Sequence, residues 1–367
     1  MHVIKVRNVH QALPEGLRML EIDGVKRSSR AGDVLEVPYP VATVFTHPRE
    51  RVIFHTQRDA NPTFHLFESI WMLAGRNDLA WIEPYLGRMR EFSDDGLTLR
   101  ASYGHRSRAT FTLVDQDTQD QFVVLSRLLR QHPDTRRAVM QFWDCELDLF
   151  ETEDTELGIT SKDVPCNLVA HFYRRDDRLD MVIFCRSNDA IWGAYGTNAV
   201  HFSMFQEYLA AMVGIEVGTY TQISSSFHAY VDVFEKCRPI IDGARDGFRR
   251  GPFCPYTAGI VRPYPLIETN DSAGVKMFDD DLSLFMSPSP AVPSFKTKFF
   301  SNVVWPIHQA HAIWKNKDNP HRFQLAKKRM CHCDAMDWQK AGLEWLERRR
   351  IVYERARDDG PSYEEQG

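Results

Sequence analysis

Val164-Pro165-Cys166-Asn167-Leu168-Val169-Ala170-His171-Phe172-Tyr173, then Arg174-Arg175-Asp176-Asp177-Arg178, then Leu179-Asp180-Met181-Val182-Ile183-Phe184-Cys185, is the stretch on which the fold turns. Two apolar runs of strand-like composition flank five charged residues, a pattern that predicts a β-hairpin. Cys166 follows a proline at the mouth of the first strand, and Arg186-Ser187 stands at the end of the second. A thiolate so placed suits attack on an electron-poor ring carbon, and neighbouring guanidinium groups favour the thiolate. A lone cysteine is more often an inert core thiol, so the chemistry depends on what accompanies it.

Outward from the hairpin, Arg137–Trp143 is another strand-like run. Residues 21 to 60 alternate apolar runs such as Val34–Val37 and Ala42–Phe45 with turn residues, which predicts strands and loops. Asn61-Pro62 has the form of a helix N-cap followed by proline, and Phe64, Phe67, Trp71 and Ala74 recur at helical spacing up to Gly75. Glu68 falls on the same apolar side, where a carboxylate needs a partner or a function. Val200, Phe202, Phe205, Leu209 and Met212 predict a buried helix over 198–213 with Gly214 as its stop. Helices are also expected near 296–315 and 335–357, after a linker at Ser287-Pro288-Ser289-Pro290. The fold class is therefore α+β.

The 367 residues, 43% hydrophobic and 12% aromatic, suffice for a large core. A formal charge of −5 argues against nucleic acid as a partner, so anions must be bound by clustered arginines. The absence of a bilayer-length apolar run and of a secretory h-region points to no membrane association and a cytoplasmic setting. Seven scattered cysteines are expected to be free thiols. Cys331-His332-Cys333 is not expected to bind metal, because adjacent ligands on a helix point to different sides.

Arg136-Arg137 and Arg186-Ser187 suit a phosphomonoester, since guanidinium groups make paired hydrogen bonds to phosphate oxygens. The Arg-Arg pair, the Pro-Cys nucleophile about thirty residues on, Arg186-Ser187-Asn188-Asp189 with Gly193 and Asn198, and His228-Ala229-Tyr230 together resemble the thymidylate synthase family. The likeness spans Arg30 to Tyr230, includes Glu68-Ser69-Ile70-Trp71 with Gly75 and Asn77, and Tyr103-Gly104, and fades beyond about residue 240.

That resemblance implies a thymidylate synthase-like mixed sheet in a catalytic domain over 1–285, with a helical extension over 286–357 packed on it and a flexible tail over 358–367. It implies a homodimer with shared sites, a pyrimidine nucleoside monophosphate as substrate, and 5,10-methylenetetrahydrofolate as one-carbon donor. Cys166 would add to C6 of the ring, Glu68 would organise water and proton transfer, and Tyr103 would assist loss of the C5 proton. Arg30, Arg136, Arg137, Arg186 and Ser187 match phosphate contacts, the Arg-Arg pair reaching into the partner's site. Asp189 matches the pterin-binding aspartate, and His228 and Tyr230 the residues that hold the sugar hydroxyl. Trp71 and Met89 fall in segments that border the folate. Asn198 matches the asparagine that reads the pyrimidine edge, although the step from Gly193 is one residue longer than in the family and Thr197 is the alternative.

The departures bear on how the transferred carbon is finished. Met89 stands nearest the place of a tryptophan that screens the exocyclic methylene from water. Asn167 replaces a histidine after the nucleophile, Cys185 a glutamine before Arg-Ser, and Glu364-Glu365-Gln366-Gly367 an apolar closing tail. The expectation is 5-hydroxymethylation of a deoxynucleotide, dUMP before dCMP. The alternatives are a thymidylate synthase and a non-catalytic nucleotide-binding relative, the latter distinguished by its indifference to Cys166→Ser.

Overall fold

The computed structural model describes residues 1–29, 31–109, 119–149, 161–246, 253–287 and 293–358. Its strands are β1 (His2–Val6), β2 (Val25–Ser29), β3 (Gly32–Glu36), β4 (Val41–Phe45), β5 (Val139–Gln141), β6 (Asn167–Arg175), β7 (Arg178–Asp189) and β8 (Glu216–Tyr230). The helices are α1 (Val9–Asp23), α2 (Pro62–Leu73), α3 (Leu79–Ile82), α4 (Tyr103–Arg108), α5 (Gln121–Gln131), α6 (Cys145–Asp148), α7 (Asn198–Val213), α8 (Val231–Cys237), α9 (Pro239–Asp246), α10 (Ser272–Met286), α11 (Trp305–Lys315), α12 (Arg322–Met330) and α13 (Met336–Asp358). Two π-helical turns, Ala190–Thr197 and Phe300–Val304, lead into α7 and α11.

The hairpin forms as expected: β6 and β7 pair antiparallel, and Asp176 and Asp177 make the turn at φ 47° and 57°. Aspartate is among the few residues that tolerate this left-handed region. The sheet has 8 strands in the order β1-β4-β8-β7-β6-β5, with β3 pairing both β8 and β2. It is mixed, because β1–β4 and β7–β8 are parallel.

Register separates the two faces. Met140, Ala170, Ile183, Gln222 and Thr43 form one row across five strands, and all are buried. That face lies beneath α7, which is buried almost throughout and is also packed by α2, α5 and α10. A helix apolar on every side belongs in the middle of a core. The neighbouring row, Gln141, Val169, Phe184, Ile223 and Ala42, lies on the opposite face, where Phe184 is 40% exposed.

α2 and α7 agree with the predicted helices, with Asn61 Oδ1 accepting from Phe64 N at 3.0 Å and Gly214 ending α7 at φ 86°. α1, α10 and α12 were not predicted. Pro14 lies inside α1 and interrupts its reading as a helix, although Asn8 caps it. α13 is held to the body by Tyr256, whose hydroxyl donates to Asp337 Oδ2 at 2.9 Å, and by Arg348 and Arg349 on Asp59. Of the expected linker at 287–290 and tail at 358–367, all but Ser287 and Asp358 lie outside the described residues. No described helix is long and apolar enough to cross a membrane.

Candidate active site

Where β6 begins, β7 and β8 end, and the sequence's candidate residues collect there. Asn167 faces Cys185 across the hairpin, Arg186 N donates to Cys166 O at 2.9 Å, and Ser187 and Asp189 on β7 lie opposite Ser226 and His228 on β8. β3 places Val34 against Tyr230. The register slips between Asn167 and Val169, so Leu168 is an extra residue on β6. Such a bulge re-aims the residues before it. Asn167 consequently turns to the helix-covered face and is 1% exposed, while Cys166 remains half-buried.

Arg186 braces the segment that leads into Cys166: Nε donates to Pro165 O at 2.9 Å and Nη2 to Val164 O at 3.2 Å. Tyr103 comes from α4, whose Gly104 approaches α2 so closely that a Cβ would lie 2.0 Å from Met72 O. Arg106 secures the same helix through a fully buried ion pair with Asp148. The Tyr103 hydroxyl therefore lies against Cys166, accepting from the backbone N–H groups of Cys166 and Asn167 at 3.2 Å each. Burial drives its pKa well above that of free phenol, and the charge a Cys166 thiolate would carry pushes it in the same direction.

Glu68 projects from α2 toward α7, where its Oε2 lies 2.9 Å from His201 Nε2. The pair is at ion-pair distance but not aligned as a hydrogen bond, and neither atom has another partner among the described residues. One turn earlier on α7 sits Asn198, with Oδ1 accepting from Asn167 Nδ2 at 3.2 Å. The residues between Gly193 and Asn198 fall in the π-helical turn, a form that takes up one residue more per hydrogen-bonded turn than an α-helix. Thr197 instead bonds the carbonyl of Trp192. Asp189 caps this turn, its Oδ1 accepting from Ile191 N at 2.8 Å and from Trp192 N. Its Oδ2 is buried without a hydrogen-bond partner among the described residues, and burial raises the carboxyl's pKa, offset in part by the Trp192 N–H.

His228 and Tyr230 stand edge to face with ring centres 6.1 Å apart, and Ser226 Oγ lies 3.3 Å from His228 Nδ1. Arg136 and Arg137 are exposed in the segment entering β5, at the sheet's edge. Arg30 lies outside the described residues. Trp71 corrects an expectation: it is 1% exposed and gives its indole N–H to Asp78 O at 3.1 Å, a core position rather than a surface for a ligand. Met89 is also buried in the core. Cys331 is exposed whereas Cys333 is buried, its thiol pushed up to about 12 by burial. Sequence reasoning passed over His201, Asn188 and Gln222. For His201 a signal existed, since three residues after Asn198 is the same helical face.

Comparison with known proteins gives the same family. The thymidylate synthase family model matches residues 22–247, more than half of the chain. A protein of Pseudomonas phage M6 named deoxyuridylate hydroxymethyltransferase is 46% identical, covering 99% of this chain and 100% of its own. Proteins of the same name from Bacillus phage SP01 and Delftia phage PhiW-14 are 37% and 28% identical, over 53% and 62% of this chain and 50% and 62% of theirs.

Proposed function

The chain belongs to the thymidylate synthase family, and we propose that it hydroxymethylates C5 of dUMP, with methylenetetrahydrofolate as co-substrate. The observation that carries the reading is the meeting of Cys166, Tyr103, Arg186 and Asn198 at one end of the sheet. The name of the Pseudomonas phage M6 relative, deoxyuridylate hydroxymethyltransferase, supports hydroxymethyl over methyl as the product.

Cys166 Sγ adds to C6 of the ring, breaking the C5=C6 double bond and making C5 nucleophilic. The braces from Arg186 to Pro165 and Val164 favour a fixed line of attack, and its remaining Nη1, with Ser187, would be left for the nucleotide phosphate. Tyr103 is a neutral phenol at neutral pH, so it passes the C5 proton on to water instead of acting as a standing base. Asn198 has one N–H and one lone pair left over, which is the complement of O4 and N3–H of uracil. The folate would supply a one-carbon unit at the oxidation level of formaldehyde: C5 takes up that carbon, and loss of the C5 proton with cleavage of the carbon–nitrogen bond to the folate releases tetrahydrofolate and leaves an exocyclic methylene on C5. The orphaned Oδ2 of Asp189 fits such a ligand, because a pterin's ring N–H groups would satisfy it. Glu68 and His201 hold and orient water near the ring. Addition of that water to the C5 methylene leaves CH2OH on the ring, and Cys166 departs as C5=C6 re-forms. The carbon's oxidation level is unchanged, so no hydride is needed.

The half-exposed sheet face is the natural contact for a second copy, which would bring the partner's Arg-Arg pair to this site's phosphate. One assay tests the reading. Incubation with methylenetetrahydrofolate and each of dUMP, dCMP, UMP and CMP should yield 5-hydroxymethyl-dUMP by mass and no dihydrofolate absorbance. A methylated product with dihydrofolate would overturn hydroxymethylation, and failure to trap 5-fluoro-dUMP covalently would overturn both outcomes.

A further inference from the structure

Five buried polar side chains form one hydrogen-bonded chain behind Cys166. Asn167 Nδ2 donates to Asn198 Oδ1 at 3.2 Å, and Asn198 Nδ2 to Asn188 Oδ1 at 3.1 Å. Asn188 Nδ2 donates to Gln222 Oε1 at 3.1 Å and to Ser224 Oγ at 2.9 Å, and Gln222 Nε2 donates to Ala194 O at 3.0 Å. Each of these side chains is less than a tenth exposed.

The chain has a direction, and its last member sets it. Ala194 O is a backbone carbonyl that can only accept, so Gln222 must turn its NH2 there and its oxygen toward Asn188. Asn188 must then donate to Gln222 and accept from Asn198, which in turn must offer its own oxygen to Asn167. A buried polar pair facing like to like would lose its hydrogen bond and leave both groups desolvated, so reversing one amide means reversing all of them. Gly193 makes room for the central link: a Cβ there would lie 2.9 Å from Asn188 Oδ1 and 3.3 Å from Asn198 Nδ2.

We propose that this relay, anchored on Ala194 O through Gln222 and Asn188, fixes the orientation of the Asn198 amide and thereby selects uracil over cytosine. A carboxamide free to rotate by half a turn serves both bases. One orientation gives N–H to O4 and oxygen to N3–H of uracil, and the other gives oxygen to the amino group and N–H to N3 of cytosine. Asparagine at this place therefore discriminates only if something prevents the turn. Gln222 and Asn188 are positioning residues that act through Asn198, and the inference rests on the reading that Asn198 faces the base.

Gln222→Met preserves length and removes the anchor, and Gly193→Ala wedges the central link apart. The test measures dUMP and dCMP affinity by calorimetry, and kcat/KM for each, in wild type and both variants, with thermal melts to verify folding. The expected result is a wild type that prefers dUMP and variants in which the dUMP:dCMP ratio falls about tenfold or more. A structural role alone would lower both nucleotides together and leave the ratio in place. Folded variants that keep the wild-type ratio within about twofold overturn the relay and leave the base reading standing. A wild type that binds dUMP and dCMP equally overturns both.

Discussion

Tyr103 shows how much one atom is asked to do at this site. Its hydroxyl oxygen accepts the N–H groups of two successive residues, Cys166 and Asn167, and its ring lies 5.3 Å from both Phe142 and Phe202. Burial keeps the phenol neutral, and in the proposed mechanism it would hold the backbone of Cys166 and pass on the C5 proton at the same time. Tyr103→Phe should separate these tasks. Turnover of dUMP should fall by about 10²- to 10⁴-fold, the usual cost of losing a general acid or base. Covalent capture of 5-fluoro-dUMP, which has no C5 proton to lose, should survive. Loss of both together would mean that the hydroxyl matters only as a brace for Cys166. Cys166, Glu68 and Tyr103 stand out as candidates in the sequence because each sits in a motif of recognisable spacing. Gln222 and Asn188 do not, since their partners are distant along the chain and are joined only by strand register.

At the level of elements, what was legible follows from periodicity. The hairpin, α2 and α7 have apolar repeats of 2 or 3.6 residues and clear end signals, and they form where expected. The two features that shape the site break periodicity by one residue each: the Leu168 bulge and the π-helical turn before Asn198. An inserted residue looks the same in a sequence whether a loop, a bulge or a π turn absorbs it. The docking of α13 was equally hidden, since Asp337 looks like a first-turn surface aspartate. Instead it is 1% exposed beneath Tyr256, and burial raises its carboxyl pKa to about 6 from 3.8. Between about pH 4 and 6 the folded chain thus holds a proton that the unfolded chain has released, so stability falls as pH rises through that window. Asp337→Asn retains an acceptor for Tyr256 and cannot ionise. It should stabilise the protein above pH 6 by at most about 3 kcal/mol and have little effect near pH 4. Denaturant melts at the two pH values check this, and an equal difference at both would exclude titration of Asp337 as the cause.

The whole molecule has one sheet face sealed by α7 and another carrying Val169, Phe184 and Ile223 in a row, with Val139, His171, Val182 and Thr221 beside it. Arg136 and Arg137 enter the edge of that face. If two copies meet there and exchange these arginines, each site combines a Cys166 from one chain with an Arg-Arg pair from the other. A twofold axis then makes a sharp prediction about mixtures. Cys166→Ser alone and the double variant Arg136→Ala, Arg137→Ala alone should each be inactive or nearly so. Unfolded together and refolded in equal amounts, half of the dimers are hybrids, and in each hybrid one site carries both lesions while the other carries neither. Activity should therefore return to about a quarter of wild type. Sites confined to one chain would give no recovery, because every Cys166 of the hybrid would still be paired with a lesion or be absent. Phe184→Glu in either parent places a charge in the centre of the contact and should abolish the recovery by preventing assembly, which sedimentation measures independently of turnover. Recovery undiminished by Phe184→Glu would move the interface away from this face.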